Sequence, residues 1–154
     1  RLQGDWSSDV CSSDLGTVAL KAGGTISASN TASQTTVTAG SALTINAGGS
    51  TSLSTDVASL AATVTAGGLT VNEKNALAVS SLSAVGQSIA LSVGGNLTQT
   101  GAIVGNSLAV TSSAGAVTLT NAGNNVDVLS GSTTSGNFSC IDADGFTEIG
   151  RAHV

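Results

Sequence analysis

The chain contains no proline, no methionine and no tyrosine in 154 residues, and 8% of its residues are charged. Proline cannot donate a backbone hydrogen bond to a neighbouring strand, so its absence suits a sheet in which every strand is internal. About one-quarter of the residues in an average globular domain are charged, and disordered tails are often richer still. The composition therefore fits neither an ordinary compact enzyme domain nor a charge-rich disordered segment.

Basic residues and long apolar runs are also scarce. Away from the two ends, Lys21 and Lys74 are the only cations, against five carboxylates. Binding to nucleic acid requires a clustered basic face, so nucleic acid is not an expected partner. Serine, threonine, glycine or asparagine interrupts every apolar run well before the roughly 20 residues that a membrane-spanning helix requires. We therefore expect a chain that does not span a membrane with helices.

A single DNA sequence explains both ends of the chain. Codons for DWSSDVCSSDL, residues 5–15, can be chosen so that their reverse complement encodes IGRAHV and a stop, and IGRAHV forms residues 149–154. This DNA resembles a sequencing-library adapter. We therefore expect residues 1–15 and 148–154 to be translated adapter, with Trp6, Cys11 and His153 among them, and we leave both segments out of the fold reasoning. Residues 16–147 are expected to be an internal piece of a longer protein.

The remaining sequence is repetitive. Glycine doublets follow short alternating runs and begin at residues 23, 48, 67 and 94, which gives intervals of 25, 19 and 27 residues. A looser fifth copy is VTLTNAGN, residues 117–124. Strict alternation of β-branched and polar residues is typical of strands with one buried face, and the glycine and asparagine between the runs favour turns. The pattern indicates a repeat architecture built from short strands.

These strands predict an all-β fold, a right-handed parallel β-helix of about five to six coils, each of about 20 to 27 residues, without caps. The core of such a solenoid is thin, and small aliphatic side chains are enough to fill it. A sandwich of two sheets would require more bulky residues than the chain has. Each coil would gain its stability from its neighbours, because one coil alone buries too little apolar area to offset its backbone entropy.

Three phrases carry a family resemblance: NLTQTGAI (96–103), VTLTNAGNNV (117–126) and IDADGFT (141–147). With them, residues 94–147 resemble the repeat region of bacterial filamentous-haemagglutinin-like exoproteins, and the glycine phrases extend the resemblance back to residue 16. The resemblance implies a right-handed β-helix at the surface of a Gram-negative bacterium or outside it. It also implies two-partner secretion through an outer-membrane partner. The role that the resemblance implies is adhesion, aggregation or toxin delivery, with surface glycans or proteins of a host or a neighbouring cell as partners.

Near the C-terminus, Cys140 alternates with Phe138, and we expect both in the core, where a free cysteine behaves as a small hydrophobic residue. Cys140 has no second cysteine in residues 16–147 with which to form a disulfide. Asp142 and Asp144 resemble part of a calcium loop, but a plain turn is the preferred interpretation. Stacking could bring Asp127 close to this pair.

Several asparagines occupy positions near strand ends. Asn96 and Asn137 begin glycosylation sequons, for which a bacterial strand turn is the preferred interpretation. Stacked amides in a solenoid can share hydrogen bonds along the axis. The candidates for such a ladder are Asn46, Asn72, Asn96 and Asn121.

The sequence assigns no catalytic, cofactor-binding or metal-binding residue. No histidine in residues 16–147 could act as the base of a serine triad, and a single cysteine cannot form a zinc site. We therefore predict a non-catalytic structural or adhesive shaft segment. A polysaccharide-degrading β-helix is one alternative, and a threonine-rich ice-binding solenoid is another. The second would require one flat face formed by the triplets 36–38, 63–65, 98–100 and 118–120.

Overall fold

The computed structural model describes residues 11–12, 16–28 and 37–149. Within these ranges all regular structure is β, and the strands join in one sheet whose pairings are parallel. The strands are β1 Cys11–Ser12, β2 Thr17–Ala22, β3 Ile26–Ser27, β4 Val37–Ala47, β5 Thr51–Val64, β6 Leu69–Glu73, β7 Leu77–Val93, β8 Leu97–Gln99, β9 Ile103–Ser112, β10 Val117–Leu119, β11 Asn125–Thr133, β12 Phe138–Cys140 and β13 Thr147–Glu148.

The strands form a β-solenoid of about six turns, as the alternation predicted. One column of paired residues follows the stack from the first described turn to the last. Its members are Thr17, Ala42, Ser59, Ala78, Thr98, Thr118 and Ser139. The steps between them are 25, 17, 19, 20, 20 and 21 residues long. The number of turns agrees with the prediction, whereas two of the turns are shorter than the predicted range.

The glycine doublets do not mark one position per turn of the solenoid. The doublet at Gly67 precedes β6, whereas Gly94 donates its N–H to Glu73, at the end of β6. Gly94 therefore stacks on the residues that follow β6, at a different corner of the solenoid. The interval of 27 residues between these doublets spans one turn and part of the next. Gly67 has a φ of 83°, whereas at Gly94 the Lys74 carbonyl oxygen occupies the space of a side chain, so glycine recurs at the two corners for different local reasons.

The strands are also longer than the three to six residues of the alternating runs, because pairing continues around the corners. β7 has 17 residues and pairs with four strands. From β7 onwards the chain forms three ladders. Ladder 1 begins at Leu77–Val79, ladder 2 at Leu82–Ala84 and ladder 3 at Ile89–Val93. In β5 the residues below ladder 1 and those below ladder 2 form one continuous segment. Its pairing with β7 changes register between Leu60 and Ala61, and the two ladders are separate from there upward.

Columns of aliphatic side chains fill the interior. In ladder 1 and the strands below it, Leu43, Leu60 and Val79 stack in register, and each is fully buried. In ladder 3 the corresponding column is Leu69, Ile89, Leu108 and Leu129. Fully burying a side chain of this size contributes about 1.5–3 kcal/mol. The core is therefore a set of vertical rows, and each member depends on the turns directly above and below it.

Strand β1 falls in the segment expected to be adapter. Cys11 and Ser12 pair in parallel with Val37 and Thr38 of β4. This pairing uses backbone groups, which any sequence supplies, so it neither supports nor weakens the adapter interpretation. Trp6 and His153 lie outside the described residues.

The first glycine of a doublet provides a test of turn stacking. A methyl group on Gly94 would overlap the carbonyl oxygen of Lys74 in the turn below, whereas one on Gly23 meets nothing within 4 Å. Neither glycine has a positive φ, so any difference between the two variants reflects space. Gly94→Ala should lower the free energy of unfolding by about 1–3 kcal/mol, and Gly23→Ala should change it by less than about 0.5 kcal/mol. Urea denaturation followed by circular dichroism measures both, and equal midpoints would contradict the stacking at Lys74.

Candidate functional site

Two buried polar corners stand out in an otherwise aliphatic interior. The first lies between ladders 1 and 2, where Gln99 of β8 and Asn124 lie in successive turns. Ladders 1 and 2 diverge above β5, and the corner between them widens in each later turn. The polar side chains at this corner occupy inward positions that hold aliphatic residues in the turns below.

The side chain of Asn124 makes the largest set of contacts at the first corner. It is 2% exposed. Its Oδ1 accepts hydrogen bonds from Gln99 Nε2 at 2.8 Å and from the Ile103 N–H at 2.9 Å. Its Nδ2 donates to Gln99 Oε1 at 3.0 Å, to the Leu119 carbonyl at 3.2 Å and to the Ile141 carbonyl at 2.8 Å. One amide thus joins three turns, and it satisfies backbone groups that would otherwise be buried without partners.

The second corner contains Glu73, the last residue of β6, whose side chain points inward and is 4% exposed. Its Oε2 accepts hydrogen bonds from Thr55 Oγ1 at 2.7 Å and from the Val57 N–H at 3.1 Å. Its Oε1 accepts one from the Asn75 N–H at 3.1 Å. The carboxylate therefore joins the turn that contains Thr55 to its own turn.

Burial is the main influence on the acidity of Glu73. Removal from water raises the pKa of its carboxyl, because the charged form loses hydration. The hydrogen bonds from Thr55, Asn75 and Val57 act in the opposite direction, and the nearby charge of Asp56 raises the pKa further. The net result is a pKa above the ordinary value for glutamate.

Charged residues surround Glu73 on the outer side of this corner. Lys74 Nζ lies 3.1 Å from Asp56 Oδ2, and Asn75 Nδ2 donates to Asp56 Oδ1 at 2.9 Å. The side chain of Lys74 is 64% exposed, so the ion pair is a surface pair of small energetic value. Asp56 and Glu73 are 17 positions apart in the sequence, and the turn of the solenoid brings their carboxylates close to each other.

At the corner after ladder 3, the position of Glu73 is taken by Val93 in the next turn. Ser112 and Thr133, which are smaller and polar, take it in the two turns above, because Val93 pairs with Ser112 and Ser112 pairs with Thr133. Ser112 Oγ donates to the Gly95 and Gly115 carbonyls, and Thr133 Oγ1 donates to the Gly136 carbonyl. These side chains fill hydrogen-bonding needs of the corner backbone. Their arrangement is structural in character.

Cys140 and Phe138 pack against the core, in line with the prediction, but both are only half-buried. Both belong to β12, which pairs only with β10 among the described strands. Burial, together with the charge of Asp142, raises the pKa of the Cys140 thiol to about 11. The thiol is therefore protonated at neutral pH and is a poor nucleophile.

An open cavity of about 170 Å³ lies at the same end of the stack. It is lined by Leu129, Gly131, Phe138, Cys140, Phe146 and Glu148. The ring of Phe138 occupies the space that a side chain at position 131 would fill, so Gly131 is required for this packing.

The DADG segment, residues 142–145, forms a turn. Asp142 Oδ1 accepts hydrogen bonds from the N–H groups of Asp144 and Gly145, and its Oδ2 accepts one from the N–H of Val126. Gly145 has a φ of 92°, which favours glycine. Stacking places the Asp142 carboxylate against Val126, the residue before Asp127. No group of three or more histidine, cysteine or carboxylate side chains suitable for a metal occurs in the described ranges.

The four asparagines of the predicted amide ladder do not stack on one another. Asn46 pairs with Lys21 and Thr63, and Asn72 pairs with Ser54 and Ser92. Asn96 lies at the corner before β8, and Asn121 lies at the corner between ladders 1 and 2. The amide contact that does occur, between Gln99 and Asn124, was missed because these residues are 25 positions apart and the register was unknown.

Both sequon asparagines lie in turns directly before strands. Asn96 precedes β8, and its Oδ1 accepts a hydrogen bond from the Ala116 N–H at 2.9 Å. Asn137 precedes β12, and its carbonyl accepts from the Val117 N–H at 2.9 Å. Each asparagine thus contributes to the contact between adjacent turns.

The threonine triplets do not form one face. Residues 98–100 and 118–120 lie one above the other, since Thr98 pairs with Thr118. The triplet 63–65 lies elsewhere, because Thr63 pairs with Asn46 and Ser83. Thr38 pairs with Asp56, and Thr36 lies outside the described residues. The flat threonine face that an ice-binding solenoid requires is therefore absent from the described turns.

Comparison with family models, curated proteins and solved structures gives no match to this chain. Within the part of the chain that the structure describes, no helix has the length and hydropathy to cross a membrane. At the two buried corners, the side chains of Glu73 and Asn124 accept hydrogen bonds from backbone N–H groups of neighbouring turns.

The amide corner can be tested with two neighbouring asparagines. Asn124→Ala would leave the buried Ile103 N–H without its partner, at a cost of roughly 1–3 kcal/mol, and would remove two of the hydrogen bonds of the Gln99 amide. Asn125 is exposed, so Asn125→Ala should change stability by less than about 0.5 kcal/mol. Thermal and urea denaturation of both variants measure the difference. Equal losses would show that Asn124 does not hold the corner.

Glu73 should make stability depend on pH. A carboxyl whose pKa is higher in the folded chain than in the unfolded chain binds more protons when folded. Its stabilising contribution is complete below the unfolded-state pKa and is lost as the pH rises through the folded-state pKa. We expect the wild type to lose stability relative to Glu73→Gln as the pH rises from the ordinary glutamate pKa to neutrality and above. The measurement is urea denaturation of both proteins across this range, and parallel stability curves would contradict a raised pKa.

Proposed function

We propose that this solenoid is a non-catalytic structural shaft in a bacterial surface exoprotein of the filamentous-haemagglutinin-like kind, where it acts as a rigid spacer with a polar, adhesive outer surface. The observation that carries the proposal is the unbroken parallel ladder. A single column runs through every turn from Thr17 to Ser139. Such a stack resists bending, because bending would separate backbone hydrogen bonds on one side.

The interior supports a spacer rather than a binding chamber. Aliphatic side chains such as Leu60, Leu82 and Ile103 are fully buried, and the inward side chains of Glu73 and Asn124 are hydrogen-bonded. The outward positions carry mainly serine, threonine and asparagine, which offer hydrogen bonds along the length of the stack. The phrases shared with the exoprotein repeats lie in these turns and are the basis for proposing an extracellular location and secretion through an outer-membrane partner.

Spin labels on one column can measure the rigidity that a spacer requires. Ser27, Ser52, Thr70, Ala90, Ala109 and Ser130 follow one another through successive turns. With adjacent strands about 4.8 Å apart, labels at 27 and 109 should be about 19 Å apart, and labels at 27 and 130 about 24 Å. Cys11 and Cys140 are first replaced by alanine. Double electron–electron resonance should give narrow distributions separated by one strand spacing.

Two results would contradict the proposal. Broad distance distributions, or a separation that does not increase with each added turn, would show a chain too flexible for a shaft. Cleavage of a polysaccharide by the purified chain would show a catalytic solenoid instead. Incubation with acidic and neutral polysaccharides, followed by a reducing-end assay, tests the second result directly.

A further inference from the structure

The aliphatic residues of β6 do not by themselves fix where this strand pairs. Leu69 and Val71 point inward, and Val71 lies between Leu53 of β5 and Leu91 of β7. A shift of β6 by one residue would turn these side chains outward, which the loss of burial opposes. A shift by two residues keeps them inward and exchanges one aliphatic neighbour for another. Alternation alone therefore permits a shift of β6 by two residues.

The corners on either side of β6 also tolerate changes in length. Residues 65–68 connect β5 to β6, and residues 74–76 connect β6 to β7. Thr55 pairs with Glu73, and Ser59 pairs with Ala78, so a step of four residues in β5 corresponds to a step of five in the next turn. Corners of unequal length thus stack on each other in this solenoid. Corner length does not exclude a shifted β6.

Glu73 differs from the aliphatic residues because its hydrogen-bond donors occur at one place only. Thr55, Val57 and Asn75 supply them, as described above. A shift by two residues would place Glu73 opposite Leu53 in one direction and opposite Val57 in the other, and both side chains are buried. In either position the carboxylate would lie among aliphatic side chains without these three donors, which is costly.

The corner does not need a carboxylate to fill its space. In the same column, Val37 lies below Thr55 and Val93 lies directly above Glu73. Valine therefore fits this inward position in neighbouring turns. We propose that Glu73 sets the register of β6 between β5 and β7, because every shifted pairing would bury its carboxylate without partners.

Cysteine pairs on the outer surface report this register. Ser52 pairs with Thr70, and Ser54 pairs with Asn72. Paired residues on adjacent strands lie about 4.8 Å apart, and a partner shifted by two residues lies about 8 Å away, which is beyond the roughly 7 Å limit for a disulfide. Cysteines at 52 and 70 should therefore link when β6 is in register. Cysteines at 52 and 72, or at 54 and 70, should link only after a shift in one direction or the other.

Glu73→Val removes the need for partners and keeps the corner filled. Disulfide formation in the shifted pairs should rise roughly tenfold or more, because an unpaired buried carboxylate no longer opposes the shift. A second variant combines Thr55→Val with Glu73→Val, which also removes the hydroxyl that would lose its partner. Glu73→Gln should keep the in-register link, since an amide is also costly to bury among aliphatic side chains.

Val71→Ala is the matched control. Val71 is 1% exposed and lies two residues before Glu73 in the same strand. Its truncation lowers stability by leaving a cavity but keeps Glu73 and its donors, so the shifted pairs should not link more often. In every chain Cys11 and Cys140 are first replaced by alanine. The chains are refolded in reductant, oxidised at low concentration and alkylated, and the intact mass then counts the free thiols.

Four results would overturn the proposal. Equal linking of shifted and in-register pairs with Glu73 present would show that β6 has no single register. Exclusive in-register linking in both valine variants would show that packing alone sets it. Equal shifted linking in Val71→Ala would attribute the shift to weaker packing. Loss of folding in both valine variants, seen by circular dichroism, would show that Glu73 acts on stability instead of register.

Discussion

The structure depends on one interaction, the parallel backbone hydrogen bonding between successive turns. Each strand residue directs its N–H and carbonyl towards a turn above or below, so each turn is complete only when its neighbours are present. This explains the lack of proline, which would leave a carbonyl in the next turn without a donor. It also explains glycine at crowded corners. At Gly94 the turns approach so closely that the Lys74 carbonyl occupies the space of a side chain.

The same constraint explains where polar groups enter the interior. Along straight segments the ladders satisfy the backbone, and inward side chains can be aliphatic, as with Leu60 and Val79. At corners the chain changes direction and backbone groups lose their ladder partners. Glu73 and Asn124 lie at two such corners and accept hydrogen bonds from the Val57 and Ile103 N–H groups. An uncompensated buried N–H would cost more than burying the side chain that satisfies it.

Local pattern was sufficient to predict the strands, the parallel stack and the approximate number of turns, because alternation and glycine-rich turns are properties of short segments. It was not sufficient to predict register. A corner can gain a residue without changing the pattern on either side, as β7 gains Ser80 opposite Leu60 and Ala61, and each such change shifts what meets in the next turn. The pairing of Gln99 with Asn124, and of Asp56 with Lys74, depends on the summed lengths of all corners between them. For the same reason the four threonine triplets looked equivalent in sequence, yet those at 98–100 and 118–120 stack while the one at 63–65 lies on another face.

Alternation also separates the demands of folding from those of the surface. Inward positions must fit the columns, whereas outward positions are free to vary, and here they are mostly small and uncharged. On the side of the stack, Lys74 and Asp56 neutralise each other. Among the described residues the remaining charges are few, and they include Lys21, Asp127, Asp142 and Asp144. Because charged side chains are sparse along the described turns, long-range electrostatic attraction to a partner is weak, and contact along the stack would depend on hydrogen bonds from serine, threonine and asparagine.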